Sequence, residues 1–504
     1  MLARVHSACL VGVSAVRVDV EVDVALGMPH VQLVGLAGGA VAESRVRVEA
    51  ALRNLGVKPP SKRITINLAP ADLRKEGTAF DLPIAAALLA GHGAIPAEAL
   101  QGLHLAGELS LSGEVRPVPG VLPMAIGARR WRARGLVIPE GNAGEASVVA
   151  GLPVYPVRHL SEVVAWARGE RAPPRRLAAV PEPAGSASPD LRDVAGQEGA
   201  KRALEIAAAG EHNLLLLGPP GSGKTMLARR LPGLLPPLGF DEALEASAVH
   251  SVAGLLRGRG LLAERPFRAP HHTISEAGLV GGSGTPRPGE VSLAHRGVLF
   301  LDELPEFRRH VLETLRQPLE DGDVVLARAG RNVRYPSEFL LVAAMNPCPC
   351  GWLGAPRRAC LCGEDSLARY RRRVSGPLLD RIDLHVEVPP LDCGRLAGPG
   401  DGEGSGEVRG RVARARERQA PRGAPNARLR GADLRSHCAT DADGREVLTR
   451  AATRLGLSAR AHDRILRVAR TIADLEGAER VEARHLLEAI QYRSLDRPMQ
   501  GEDG

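Results

Sequence analysis

Gly218-Pro-Pro-Gly-Ser-Gly-Lys-Thr225 is the stretch on which the reading of this chain turns. It spells Gly-x4-Gly-Lys-Thr, the P-loop pattern. Asn213–Leu217 ahead of it is a short apolar run, and Met226–Leu231 behind it reads as a helix. Strand, glycine turn and helix in that order are the context the pattern needs. Gly218, Gly221 and Gly223, with Pro219, Pro220 and Ser222 between them, let backbone N–H groups curl around phosphates at a helix N-terminus. Lys224 then reaches the β- and γ-phosphates, and the Thr225 hydroxyl binds Mg²⁺. The chain has only five lysines, so a lysine in that slot is informative.

Further along, Val298-Leu-Phe-Leu-Asp302-Glu303 reads as a strand ending in adjacent carboxylates. Asp302 suits the Mg²⁺ and Glu303 suits the orientation of an attacking water. Phe339–Met345 is another apolar run and leads into Asn346-Pro347. Asn before Pro is an ordinary turn signal, yet a polar strand tip beside a γ-phosphate also positions water. Continuous apolar runs separated by helices predict a parallel sheet covered on both faces. Asp443–Leu455, Ala459–Leu475 and Glu482–Tyr492 predict a small helical lid.

Upstream, Val16, Val18, Val20, Val22 and Val24 alternate with charge, which predicts a strand with one wet face. Val41–Leu52 and Asp81–Ala90 read as helices, and Arg63–Leu68, Leu136–Pro139 and Leu152–Val157 as strands. The expected organisation is α/β. A mixed domain spans 1–168, a Pro/Gly-rich linker 169–189, and a nucleotide-binding core 190–395. A loop with a basic helix covers 396–436 and a helical lid 437–504.

Composition narrows the function class. The 504 residues are 44% apolar and 25% charged, as in an ordinary globular protein of several domains. No stretch of eighteen apolar residues occurs, and the N-terminus reads as a strand, so no membrane span is expected and the expected location is cytoplasmic. The net charge of +8 permits nucleic acid as a partner. Aromatic residues at 3% argue against a broad base-stacking platform. Cys348, Cys350, Cys360 and Cys362 form C-x-C-x9-C-x-C. Four thiolates suit tetrahedral Zn²⁺, although the C-x-C pairs are tighter than the usual zinc spacing. Inert loop thiols are the alternative.

Longer motifs join these. They are Arg268-Ala-Pro-His-His-Thr273, Pro288-Gly-Glu-Val-Ser-Leu-Ala-His295, Met345-Asn-Pro-Cys-Pro-Cys-Gly351, Ser375-Gly-Pro-Leu-Leu-Asp-Arg-Ile-Asp383 and Leu457-Ser-Ala-Arg460. With the P-loop and the Asp-Glu strand they resemble the magnesium-chelatase-like branch of the AAA+ ATPases. The whole chain is similar to the YifB/ComM family within it, the competence-associated ATPases. That resemblance implies ATP and Mg²⁺ as ligands and a ring, normally a homo-hexamer. It implies Asn346 as sensor 1, Arg381 as an arginine finger acting across a subunit interface, and Arg460 as sensor 2 acting in cis. Arg372 and Arg373 lie close enough in sequence to compete for the finger role. It further implies action on DNA, single-stranded or branched, as a branch-migration helicase in natural transformation, with recombination proteins as further partners.

A hairpin is expected over Asp321–Arg334, and in related ring motors such a hairpin points into the pore. Arg328, Arg331 and Arg334 are therefore candidate phosphate contacts. Glu407–Ser436 holds nine Arg against three acids and is either a solvated basic helix or a second nucleic-acid surface. The first domain resembles the Lon-protease fold. Ala79 stands where that family has its serine and Leu122 where it has its lysine. Neither supplies a nucleophile or base, so peptidase activity is not expected. Lys75 and Asp81 receive no chemistry. The rival readings are the ATPase subunit of a metal-inserting chelatase, a Lon-type protease, and a scaffold that binds nucleotide without turnover.

Overall fold

The computed structural model describes residues 2–57, 62–173, 188–256, 258–282, 286–328, 331–354, 358–390 and 402–493. Most of the expected linker at 169–189 and loop at 396–406 lies outside these residues.

The first domain is built on nine strands: β1 (Leu2–Val11), β2 (Ser14–Ala25), β3 (His30–Val34), β4 (Arg63–Ala69), β5 (Leu103–Leu105), β6 (Glu108–Leu109), β7 (Val115–Arg116), β8 (Gly135–Pro139) and β9 (Val154–Val157). Seven form one mixed sheet in the order β3-β4-β2-β1-β5-β8-β9, and β6 and β7 pair separately. β2 runs antiparallel to both β1 and β4. The valine alternation works as expected from Val18 to Val24, all buried, while Val16 at the strand start is exposed. The two faces follow residue parity. Val5 and Cys9 of β1 enter one core with helices Gly39–Asn54 and Asp81–Gly91, whereas Ala8 enters another with helix Val121–Arg130. Every residue of Asp81–Gly91 is buried, as an all-round apolar helix demands.

The second domain carries β10 (Leu214–Leu217), β11 (Phe267–Arg268), β12 (Val298–Leu301), β13 (Asp323–Arg328), β14 (Arg331–Pro336), β15 (Leu340–Met345) and β16 (Leu384–Glu387). Five are parallel in the order β11-β12-β15-β10-β16. Leu214, Leu216, Phe300 and Val342 face one core, and Leu215, Leu217, Leu299 and Leu341 face the other. Both faces are dry, which is why these strands read as unbroken apolar runs rather than alternating ones. β13 and β14 form the expected antiparallel hairpin.

The C-terminal helices Ser405–Gln419, Ala442–Leu455, Ala459–Glu476 and Ala483–Gln491 complete the fold. Val408, Val412 and Ala415 of the first share a core with Ile465, Val468 and Ile472 of the third and with Ala203, Ala207 and Leu214 beneath the sheet. Two expectations change here. The P-loop helix starts earlier and ends sooner, at Lys224–Ala228, and a separate turn Leu231–Leu234 follows, because Pro232 has no N–H to continue the ladder. The basic segment also joins the helical unit instead of standing apart. Many of its arginines are engaged: Arg411 with Glu205, Arg416 with Glu211 and Arg422 with Asp474.

The two α/β domains meet through helix Phe240–Val252, whose Ala248 joins Leu122, Ala125 and Val149 in one apolar cluster. A polar latch crosses that contact. The Glu145 carboxylate accepts from the Ser251 hydroxyl and, at 2.6 Å, from the Asn142 amide. Burial pushes its pKa up.

Candidate functional site

The site forms where β10, β12 and β15 end side by side. Parallel pairing sets Leu217 opposite Met345, and Leu301 opposite Ala343, so the three C-terminal tips are neighbours. Ligands of open parallel sheets bind at such tips. Gly218 turns the chain where a Cβ would stand 2.3 Å from the Val388 carbonyl, so no larger residue fits. Gly221 and Gly223 take left-handed φ values of +75° and +91°, and Gly223 caps the helix that begins at Lys224.

Lys224 is almost fully buried. Its ammonium donates to the Gly218 carbonyl at 2.7 Å, the Pro219 carbonyl at 3.0 Å and Asn346 Oδ1 at 3.2 Å. Burial lowers its pKa, while Asp302 and Glu303 oppose the shift. Thr225 Oγ1 donates to Asp302 Oδ2 at 2.7 Å. These two oxygens are the ones that would hold Mg²⁺. The Ser222 hydroxyl is buried with no hydrogen-bond partner among the described residues, a spare donor inside the turn. A loop of unspent donors around a buried ammonium fits a phosphate chain.

Glu303 sits two residues past the strand in a left-handed conformation, φ +53°. Its Oε2 lies 3.2 Å from His272 Nδ1. His272 packs against His271 with ring centroids 4.1 Å apart and meets Phe307 edge-on. The His271-His272 pair has no role assigned by sequence alone. A doublet of histidines just after the short strand β11 is the signal, and only the neighbouring strand order reveals its partner.

Arg381 and Arg460 lie elsewhere. Both line a cavity of ≈ 550 Å³ together with Arg428, Arg430, Arg464 and Arg467, and no P-loop residue lines it. Arg381 is held by Glu320, and its Nε is buried without a partner among the described residues. Arg460 is exposed and reaches only Asp380, at 3.9 Å. Arg460 thus lies beside Arg381 rather than at the chain's own P-loop in this structure. The helical unit packs under the sheet and carries Arg460 to the Arg381 side. Of the two competitors for the finger, Arg373 is paired with Glu306 at 2.8 Å.

Three further features bear on the hairpin, the first domain and the cysteines. Arg334 turns back to Asp323 at the base of its hairpin, with Nε–Oδ2 at 2.7 Å, and so is already neutralised. The side chains of Arg328 and Arg331 lie outside the described residues. Ala79 and Leu122 are buried in one apolar cluster, and the Lys75 ammonium is bound to the Pro70 carbonyl, so no nucleophile–base pair exists there. Asp81 pairs with Arg47 at 2.6 Å and is structural. The four cysteine sulfurs of 348–362 come together within 4.8 Å of one another.

Comparison with known proteins agrees with this geometry. Residues 190–396 match the family of magnesium chelatase, subunit ChlI; residues 20–142 match subunit ChlI of Mg-chelatase, and residues 402–493 its C-terminal region. The competence protein ComM of Haemophilus influenzae is 47% identical over 506 residues, 99% of each chain. An uncharacterized protein YifB of Salmonella typhimurium is 46% identical over 98% of each. This chain belongs to the YifB/ComM branch of the magnesium-chelatase-like family. The magnesium-chelatase 38 kDa subunit of Rhodobacter capsulatus is a more distant member, 29% identical over 58% of this chain and 83% of its own. The parallel sheet, P-loop and helical C-terminal region of this YifB/ComM protein fit an AAA+-type fold. No described helix is long and apolar enough to cross a membrane.

Proposed function

We propose that this YifB/ComM protein is an ATP-hydrolysing hexameric motor that acts on DNA and promotes branch migration of recombination intermediates during natural transformation. ATP binds with its phosphates in the 218–225 loop, where Thr225 and Asp302 would hold Mg²⁺, which would neutralise phosphate charge. Glu303 orients and polarises the attacking water, and Asn346 helps hold it. Electrostatic stabilisation of the transferred γ-phosphoryl group, as ADP leaves, then comes from arginines.

The observation that carries the ring is the arginine cavity. Arg381 Nε and Arg464 Nη1 are buried donors with no hydrogen-bond partner among the described residues, although Arg464 Nη1 lies 3.7 Å from Asp380 Oδ1 and acids such as Glu320 and Asp383 share the lining; no residue of the chain's own P-loop lines this surface. Such donors suit an anion brought by a neighbouring subunit. Arg381 then acts in trans, and Arg460 acts from the same side. Charge supports nucleic acid as substrate, and the relative named competence protein ComM supports transformation as the setting. The first domain, with a Lon-protease-like organisation but without a catalytic pair, serves assembly or DNA handling.

The test is ATP turnover with and without branched or single-stranded DNA, at low and moderate salt. Strong stimulation that fades with salt is expected, because phosphate contacts are lost as counterions return. Turnover indifferent to DNA would sink the DNA reading and favour a metal-insertion subunit, which the chelatase relatives support.

A further inference from the structure

The loop after Asn346 holds a feature that nucleotide chemistry does not use. Sulfur–sulfur distances are 3.3 Å for Cys348–Cys350 and 3.6 Å for both Cys350–Cys360 and Cys360–Cys348. All four sulfurs, Cys362 included, fall within 4.8 Å of one another. A disulfide needs about 2.05 Å, and these cysteines are free. Zinc–sulfur bonds of about 2.3 Å set the edge of a ligand tetrahedron at about 3.8 Å. The cluster is therefore close to the size of a four-thiolate zinc shell. Backbone N–H groups already point at the sulfurs, from Leu353 to Cys348 at 3.3 Å and from Cys362 to Cys360 at 3.4 Å. Such donors stabilise thiolate and fix ligand orientation.

The cluster is tied to the nucleotide site. Cys348 is fully buried and follows Asn346 by two residues. Gly351, at φ +83°, lies against the P-loop so closely that a Cβ would stand 2.6 Å from Pro220 Cδ. Arg358 stacks over Trp352 at 4.8 Å and ties the two limbs of the loop together.

We propose that Cys348, Cys350, Cys360 and Cys362 bind one Zn²⁺ as thiolates, and that this knuckle fixes Asn346 and backs the P-loop at Pro220. Binding releases the thiol protons to solvent, and no electrons move. The cysteines are positioning residues for phosphoryl transfer. This second half rests on the nucleotide reading above; the zinc half does not.

The experiment uses full-length protein purified without chelator. Elemental analysis gives one zinc per chain, and Co²⁺ exchange gives the visible d–d bands of a tetrahedral thiolate site. Cys350→Ser with Cys360→Ser loses both signals, and Cys362→His retains zinc. In the double variant kcat falls about 100-fold, the scale of a catalytic group misplaced by about 1 Å, while KM for ATP moves much less. Cys362→His restores most of kcat. Lys224→Ala keeps its zinc whether or not it binds ATP, so failure of the nucleotide reading is seen separately. Wild-type protein without zinc and without a cobalt spectrum overturns the site. Loss of zinc with undiminished turnover in the double variant overturns the positioning role. If the double variant fails to fold, stripping zinc from the wild-type protein with a chelator decides: loss of zinc without loss of turnover overturns the coupling.

Discussion

Replacing Lys224 with alanine isolates the central claim about the phosphate loop. In this structure the ammonium is satisfied by the Gly218 and Pro219 carbonyls and Asn346 Oδ1. Nucleotide binding exchanges those neutral acceptors for phosphate oxygens. A hydrogen bond to a charged group contributes about 1.5–3 kcal/mol net. Taking the upper half of that range for one ammonium shared by two phosphates, the loss is about 3 kcal/mol, or about 100-fold in Kd. Stability should hardly change. Removing a buried cation relieves its desolvation, which already lowers the Lys224 pKa, and the two carbonyls can turn to water. Titration of a fluorescent ATP analogue, with thermal unfolding on the same samples, measures both quantities. Lys201→Ala is the control, because Lys201 is equally buried but pairs with Glu198 at 3.3 Å outside the site. A Lys224→Ala protein of normal Tm with Kd within about threefold of wild type would refute the assignment.

Glu303→Gln should bind ATP normally and lose about 10²–10⁴-fold in kcat, the usual worth of a general base; unchanged single-turnover rates count against it. His272→Ala frees Glu303 from its 3.2 Å contact and should alter turnover without altering ATP affinity, measured in the same two assays. Arg381→Ala should be inactive alone but regain activity in rings mixed with Glu303→Gln protein, since each supplies what the other lacks at a shared interface; mixtures that never recover exclude action in trans. Acid should destabilise the fold through His295, whose Nδ1 accepts the Glu338 N–H at 3.0 Å and whose pKa burial holds at about 4. The unfolded chain, near 6.5, binds that proton first, so stability is intact above pH 6.5 and falls towards pH 4, by about 2 kcal/mol at pH 5. A His295→Asn variant should show a flatter Tm profile across that window.

Much of the fold was legible because its signals are local. Val18 to Val24 carry a period of two, and Leu214–Leu217, Val298–Leu301 and Leu340–Met345 are too apolar to be anything but buried. Helix ends were less legible. The stop at Ala228 depends on Pro232, and the extent of Ser405–Gln419 depends on burial of Val408 and Val412 that no charge count reveals.

The sequence by itself determined the phosphate loop, because a glycine pattern of eight residues dictates its own backbone path and delivers Lys224 and Thr225 with it. It also determined that Ala79 and Leu122 cannot do peptidase chemistry, since that is a matter of side-chain identity. Tertiary structure decided everything that depends on strand order and helix docking. It set Thr225 on Asp302, Asn346 on Lys224 and His272 on Glu303. It turned Arg334 onto Asp323 and carried Arg460 away from its own P-loop. It also closed four sulfurs into one cluster. These partners are distant in the chain, or their meeting depends on how a loop closes. Their encounter is fixed by the packing of the sheet, whose energy is spread over many apolar contacts rather than written in any one motif.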